Sequence, residues 1–218
     1  MANESKTLRI FHAPNTRGIR PIWLCEELGL PYEVVPVDFS AEYRASPEWR
    51  ALNPVGKVPV LQDGDLTMME SGAMVDYILA RYANGAFDLA PDHPEYAHLR
   101  QWMWFAEATL ARPLGEIVNH GREFAGAARI DAVVTEMADR SVMSLEAVGE
   151  HLASRSYLVA DTFTAADIMM GYSLLIGRLL VADRFPASLA DYWERLSARP
   201  AFQVACEAGK GAPAAPLS

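Results

Sequence analysis

Up to Tyr82 the chain alternates between two hydrophobic periods. Leu8-Arg9-Ile10-Phe11 alternates as a short strand, and Pro14-Asn15-Thr16 breaks it and opens a helix running to Gly29. Within that helix Ile19, Ile22, Trp23 and Leu28 recur at helical spacing, and Gly29 suits a left-handed cap. Tyr32-Glu33-Val34-Val35-Pro36-Val37 reads as a second strand. Ala41 to Leu52 reads as short helical turns, and Val58-Pro59-Val60-Leu61 as a third strand. Asp63-Gly64-Asp65 is a hairpin signal before a fourth strand, Leu66-Thr67-Met68, so the last two strands pair antiparallel. Ser71 to Tyr82 then has helical spacing. This order of strand, helix, strand, helix, strand, strand, helix is a thioredoxin-like layout.

Ala83 to Pro94 is rich in Gly, Asn, Asp and Pro and reads as a linker. Beyond it only helical periodicity remains, with helices predicted near 94–121, 126–153, 165–182, 187–197 and 200–208. The expected architecture is an α/β thioredoxin-like domain over 1–83, a linker over 84–93 and an all-α helical domain over 94–218. Thr164 and Asp167 are spaced as a capping box ahead of Ile168-Met169-Met170-Gly171-Tyr172-Ser173-Leu174-Leu175. That run is apolar nearly all round, which marks a central helix. The tail from Gly209 is low in complexity and is expected to fray.

Charge narrows the function. The chain carries 19 basic and 28 acidic residues, a net of −9, which argues against general nucleic-acid binding. A local basic pocket for a small anion remains compatible with that balance. The two cysteines, Cys25 and Cys206, make neither a disulfide framework nor a Cys-x-x-Cys pair. The five histidines have no metal-ligand spacing, so no metal is expected. No apolar run approaches a membrane span, and the start lacks an apolar signal region. These features predict a cytoplasmic protein of a reducing compartment.

Chemistry concentrates in two places. The first is Asn53-Pro54-Val55-Gly56-Lys57-Val58-Pro59-Val60-Leu61 followed by Glu70-Ser71-Gly72-Ala73. With these motifs the chain resembles the glutathione transferase family over nearly its whole length. The resemblance implies a cis bond at Pro59, with Val58 pairing its main chain to the cysteinyl unit of glutathione. Lys57 would contact the tripeptide. Ser71, at a helix N-terminus, would take the γ-glutamyl carboxylate and Glu70 the ammonium. Were no ligand bound there, Glu70 and Ser71 would cap the helix.

The second place is Pro14-Asn15-Thr16-Arg17-Gly18-Ile19-Arg20. In the family this loop carries a tyrosine, serine or cysteine that favours the glutathione thiolate. None of the three is present here, so the role falls to Asn15, Thr16 or Arg17. Without chemistry, Thr16 would cap the helix, with Arg17 and Arg20 in solvent. Cys25 reads as core filler. Trp104, Phe105, Ala108 and Thr109 are candidates for an apolar acceptor site on the first helix after the linker. The implied function is a glutathione transferase that uses glutathione as co-substrate. It would activate the thiol to attack a small apolar electrophile or reduce a peroxide, and would work as a homodimer. The alternative is a transferase-like binding or dimerisation module with weak or lost chemistry.

Overall fold

In a computed structural model the described residues are 7–122, 124 and 126–211. The expected fraying of the tail falls largely outside them. They form two compact units. One runs up to Ala86 and takes in the chain again from Arg199, and the other is Phe87–Ala198.

The first unit is built on four strands: β1 (Leu8–His12), β2 (Tyr32–Pro36), β3 (Val60–Asp63) and β4 (Leu66–Met69). Their order in the sheet is β2-β1-β3-β4, with β1 parallel to β2 and the remaining pairs antiparallel. Helix α1 (Ile19–Leu28) connects β1 to β2, as a parallel pair requires. Short helices α2 (Ala41–Ala45) and α3 (Pro47–Leu52) lead into β3. Each has a serine cap: Ser40 Oγ accepts from the Tyr43 amide and Ser46 Oγ from the Trp49 amide, at 3.2 and 3.1 Å. Helix α4 (Ser71–Tyr82) follows the hairpin.

Strand alternation sorts the core. Phe11, Val35 and Val60 pack with Trp49 on one face, whereas Ile10 and Leu61 point to the other. In this unit two boundaries differ from the sequence reading by two residues or more. Helix α1 begins at Ile19, later than Pro14–Thr16, leaving a loop over 14–18, and β3 begins at Val60 after Pro59, which has no N–H for the ladder.

Helix α10 (Pro200–Glu207) belongs to this first unit, although it comes last in the chain. Its Phe202 ring sits edge-on to Trp23 of α1, with centroids 4.7 Å apart. Arg199 clasps Glu27 with two hydrogen bonds of 2.6 and 2.7 Å. The helical region read as 94–218 therefore yields its end from Arg199 onward to the sheet-bearing unit.

The second unit is helical: α5 (Tyr96–Trp104), α6 (Arg112–Arg122), α7 (Asp131–His151), α8 (Ala165–Leu180) and α9 (Ala190–Ser197), with short 3₁₀ turns between some of them. The helix expected over 94–121 is interrupted by a π-helical segment, Phe105–Ala111. Pro113 has no N–H to offer the carbonyl of Thr109, so a regular α ladder could not pass through this point. Ser173 Oγ of α8 donates to the Ala106 carbonyl of the π segment over 2.8 Å. The capping box is present: buried Asp167 accepts from the Thr164 amide at 2.8 Å. It also accepts from the Leu158 amide and the Tyr192 hydroxyl, at 3.1 and 2.7 Å.

Candidate active site

One row across the sheet organises the candidate site. Phe11, Val60 and Met69 stand in register on β1, β3 and β4. The three segments singled out in the sequence all meet the sheet at this end. The loop over 13–18 leaves β1 there, Lys57-Val58-Pro59 enters β3, and Glu70-Ser71 leaves β4. Strands lie about 4.8 Å apart, so β1 to β4 spans roughly 10 Å. An extended tripeptide is about 10 Å long.

At the middle of the row the Val58–Pro59 bond is cis. No main-chain hydrogen bond engages Val58 among the described residues, which leaves its N–H and C=O as an open edge. The approach to this edge is fastened by a residue that the sequence reading did not single out. Asn53 is 2% exposed; its Nδ2 donates to the Lys57 carbonyl over 2.9 Å, and its Oδ1 accepts from the Val55 amide. Gly56 has a φ of 64°, and a Cβ there would lie 2.5 Å from the Arg44 carbonyl. Only glycine fits that turn. Lys57 itself is exposed.

At the β4 end Glu70 is exposed and takes an unusual backbone, φ 73° and ψ 107°, as the cap residue of α4. It makes no side-chain cap hydrogen bond, so the capping role weighed for it in the sequence is not what it does. Ser71 is the first residue of α4 and is buried at 3% exposure. Its hydroxyl accepts from Arg20 Nη1 at 3.0 Å. Arg20 is fully buried, against the expectation that it faces solvent. The first amides of α4 have no partner within the helix and point out of its N-terminus.

At the β1 end the three candidates separate. Asn15 is exposed and has a φ of 60°, a left-handed conformation that asparagine tolerates better than most residues. Thr16 is half-buried, and its hydroxyl donates to the Ala13 carbonyl over 2.7 Å and lies 3.3 Å from His12 Nδ1. Thr16 therefore does not cap α1, whose cap residue is Gly18. Arg17 is half-buried.

His12, also missed in the sequence, lies beneath this loop. It is fully buried, and burial pushes its imidazole down to about 4, against a smaller upward pull from the Ala208 main chain. Cys25 is buried in α1, and burial pushes its thiol up to about 12, the reverse of a reactive cysteine.

The acceptor-site candidates lie in the second unit at the α5–π junction. Trp104 is 65% exposed, Ala108 and Thr109 are exposed, and Phe105 is half-buried against Trp102 with centroids 5.0 Å apart. No group of three or more metal-binding side chains is present among the described residues.

Known proteins resemble this chain in sequence and in fold. The family described as "Glutathione S-transferase, N-terminal domain" matches residues 6–80. Glutathione S-transferase 3 of Zea mays is 33% identical, over 90% of this chain and 91% of that protein. The crystal structure of the glutathione transferase URE2P8 from Phanerochaete chrysosporium with oxidized glutathione superposes with a TM-score of 0.81. It is 25% identical and covers 94% of this chain and 95% of that one. The structure of glutathione S-transferase III in apo form has a TM-score of 0.76 at 33% identity, covering 95% of this chain and 99% of that one. With a relative one-third identical along nearly its whole length, this chain belongs to the glutathione S-transferase family.

Proposed function

We propose that the protein is a glutathione transferase that lays glutathione along the row defined by Phe11, Val60 and Met69. The observation that carries this reading is the alignment of an anion-binding helix N-terminus, an open main-chain edge and a polar loop along about the length of a tripeptide. Ser71 and the α4 amides receive the γ-glutamyl carboxylate, and Glu70 the ammonium. Val58 pairs with the cysteinyl unit as an added strand would. Exposed Lys57 meets the tripeptide beside it.

Asn15 is the best-supported thiolate partner. Its amide is exposed and is a hydrogen-bond donor, whereas the Thr16 proton is engaged by Ala13. Arg17, the cation-bearing candidate of the three, is the second choice. Once ionised, the sulfur forms a bond to the electrophilic carbon, and the leaving group departs with the electrons of the bond that breaks. The proposed co-substrate is a small apolar electrophile. Reduction of a peroxide by the same thiolate is the companion activity.

A homodimer is the proposed assembly. Its support is the set of exposed large apolar side chains that includes Val55, Leu66, Met69 and Trp104. The free thiols Cys25 and Cys206, and the absence of a helix long and apolar enough to cross a membrane among the described residues, favour a cytoplasmic setting.

Retention on immobilised glutathione, together with conjugation of glutathione to an activated aryl halide, tests the reading. Both are expected. Retention without conjugation would leave a binding module, and loss of both would overturn the assignment.

A further inference from the structure

Arg20 is the one arginine among the largest fully buried side chains, and it lies directly behind the residue that begins α4. Burying a guanidinium is costly unless hydrogen bonds offset the lost hydration. Here Nη1 donates to Ser71 Oγ at 3.0 Å, and that hydroxyl is itself only 3% exposed as part of its residue. A serine hydroxyl has one proton and two lone pairs. With a lone pair occupied by the guanidinium, the proton is left to point elsewhere, and the charge-assisted bond strengthens the hydroxyl as a donor. The same oxygen sits at a helix N-terminus that already carries partial positive charge.

We propose that Arg20 is a positioning residue for carboxylate recognition: its hydrogen bond holds the Ser71 hydroxyl as an outward donor. The ligand group is the α-carboxylate of a γ-linked glutamyl unit, and the inference rests on the reading that Ser71 receives it. A purely structural tie between α1 and α4 would serve equally well with any ligand. Carboxylate positioning makes a different demand, because the effect of Arg20 must depend on whether the ligand carries that carboxylate.

The test compares glutathione with γ-aminobutyryl-cysteinyl-glycine, which lacks only the α-carboxylate of the first residue. Binding is measured by calorimetry on the full chain. Arg20→Gln should weaken glutathione by roughly ten- to a hundredfold, the range of a lost charge-assisted hydrogen bond. It should leave the affinity for the analogue near that of the parent. Arg20→Lys keeps the charge without the fork and should fall between. Equal losses for both ligands, or no loss for either, would overturn the proposal.

Should Arg20→Gln not fold, Arg20→Lys and the side-chain nitrogen resonances of the arginine-labelled parent decide the matter. The Arg20 signal should move with glutathione and hold with the analogue; equal movement overturns the proposal. Ser71→Ala separates this inference from the reading beneath it. Selective loss in Ser71→Ala with none in either Arg20 variant sinks the role of Arg20 alone. A parent that binds both ligands equally sinks the Ser71 assignment and the role of Arg20 with it.

Discussion

Arg20 Nη1 donates to Ser71 Oγ over 3.0 Å, and with both residues buried this bond fastens α1 to the first residue of α4. Ser71→Ala removes the acceptor and should cost about 1–3 kcal/mol, the penalty for stripping a partner from a buried polar group. Ser71→Thr keeps the oxygen and should recover most of that loss. Urea unfolding of the three proteins measures it, and an alanine variant as stable as the parent would contradict the account.

The parts of the site that follow local rules were readable in the sequence. Asp63-Gly64-Asp65 fixed the hairpin, and Thr164 with Asp167 announced the start of α8. The Val58-Pro59 and Glu70-Ser71 motifs fall at the middle and at the β4 end of the candidate ligand row. What escaped depends on contacts between distant segments. Arg20 lies in a stretch whose charge suggests solvent, yet it is buried and reaches Ser71 of α4, a contact between segments far apart in sequence. His12 reads as an ordinary strand-end residue until Gly18 packs against it. Helix α10 looks like the end of a helical domain because chain order says nothing of where Trp23 finds Phe202. The π segment is tied to Pro113, whose effect falls on residues before it.

His12 gives the protein an acid-sensitive point. Its folded-state value near 4 lies below the ordinary 6.5, so between these pH values the unfolded chain binds the extra proton. The contribution of a neutral His12 is therefore complete above pH 6.5 and is lost as pH falls toward 4. The whole interval is worth about 3 kcal/mol. His12→Gln cannot take up that proton, so the parent should lose stability faster than the variant over this window. Parallel stability curves would remove His12 as the cause.

Gly18 is constrained by the same histidine. A Cβ at Gly18 would lie 2.3 Å from His12 Nδ1 and 3.0 Å from its Cγ. Because His12 is fully buried, the ring has little room to yield. Gly18→Ala should destabilise by about 1–3 kcal/mol, as overpacking does. In a His12→Ala background the same change should cost much less. A double-mutant cycle checks this, with a coupling of about 0.5–3 kcal/mol expected for residues in direct contact. Additive losses would place the strain elsewhere.

The final prediction separates Asn15 from Thr16. The two were equal candidates by sequence, but their hydrogen bonds differ. The Thr16 hydroxyl proton goes to the Ala13 carbonyl at 2.7 Å, so Thr16 shapes the loop. Thr16→Val should cost about 1 kcal/mol of stability and change turnover little beyond that. Asn15 is exposed and has a left-handed backbone. Alanine at this position would add backbone strain, so glycine is the cleaner probe: it accepts a φ of 60° and deletes only the side chain. Asn15→Gly should lower turnover by about 10²–10³ if the amide is the chief thiolate donor. The mid-point of the pH–rate profile should move upward, because a less stabilised thiolate forms only at higher pH. Affinity for glutathione should change far less, since the γ-glutamyl end is held at Ser71. If Asn15→Gly retains the parent profile while Arg17→Ala loses it, the thiolate partner is Arg17. If only Thr16→Val shifts the profile, the hydroxyl turns from Ala13 to the sulfur when glutathione binds.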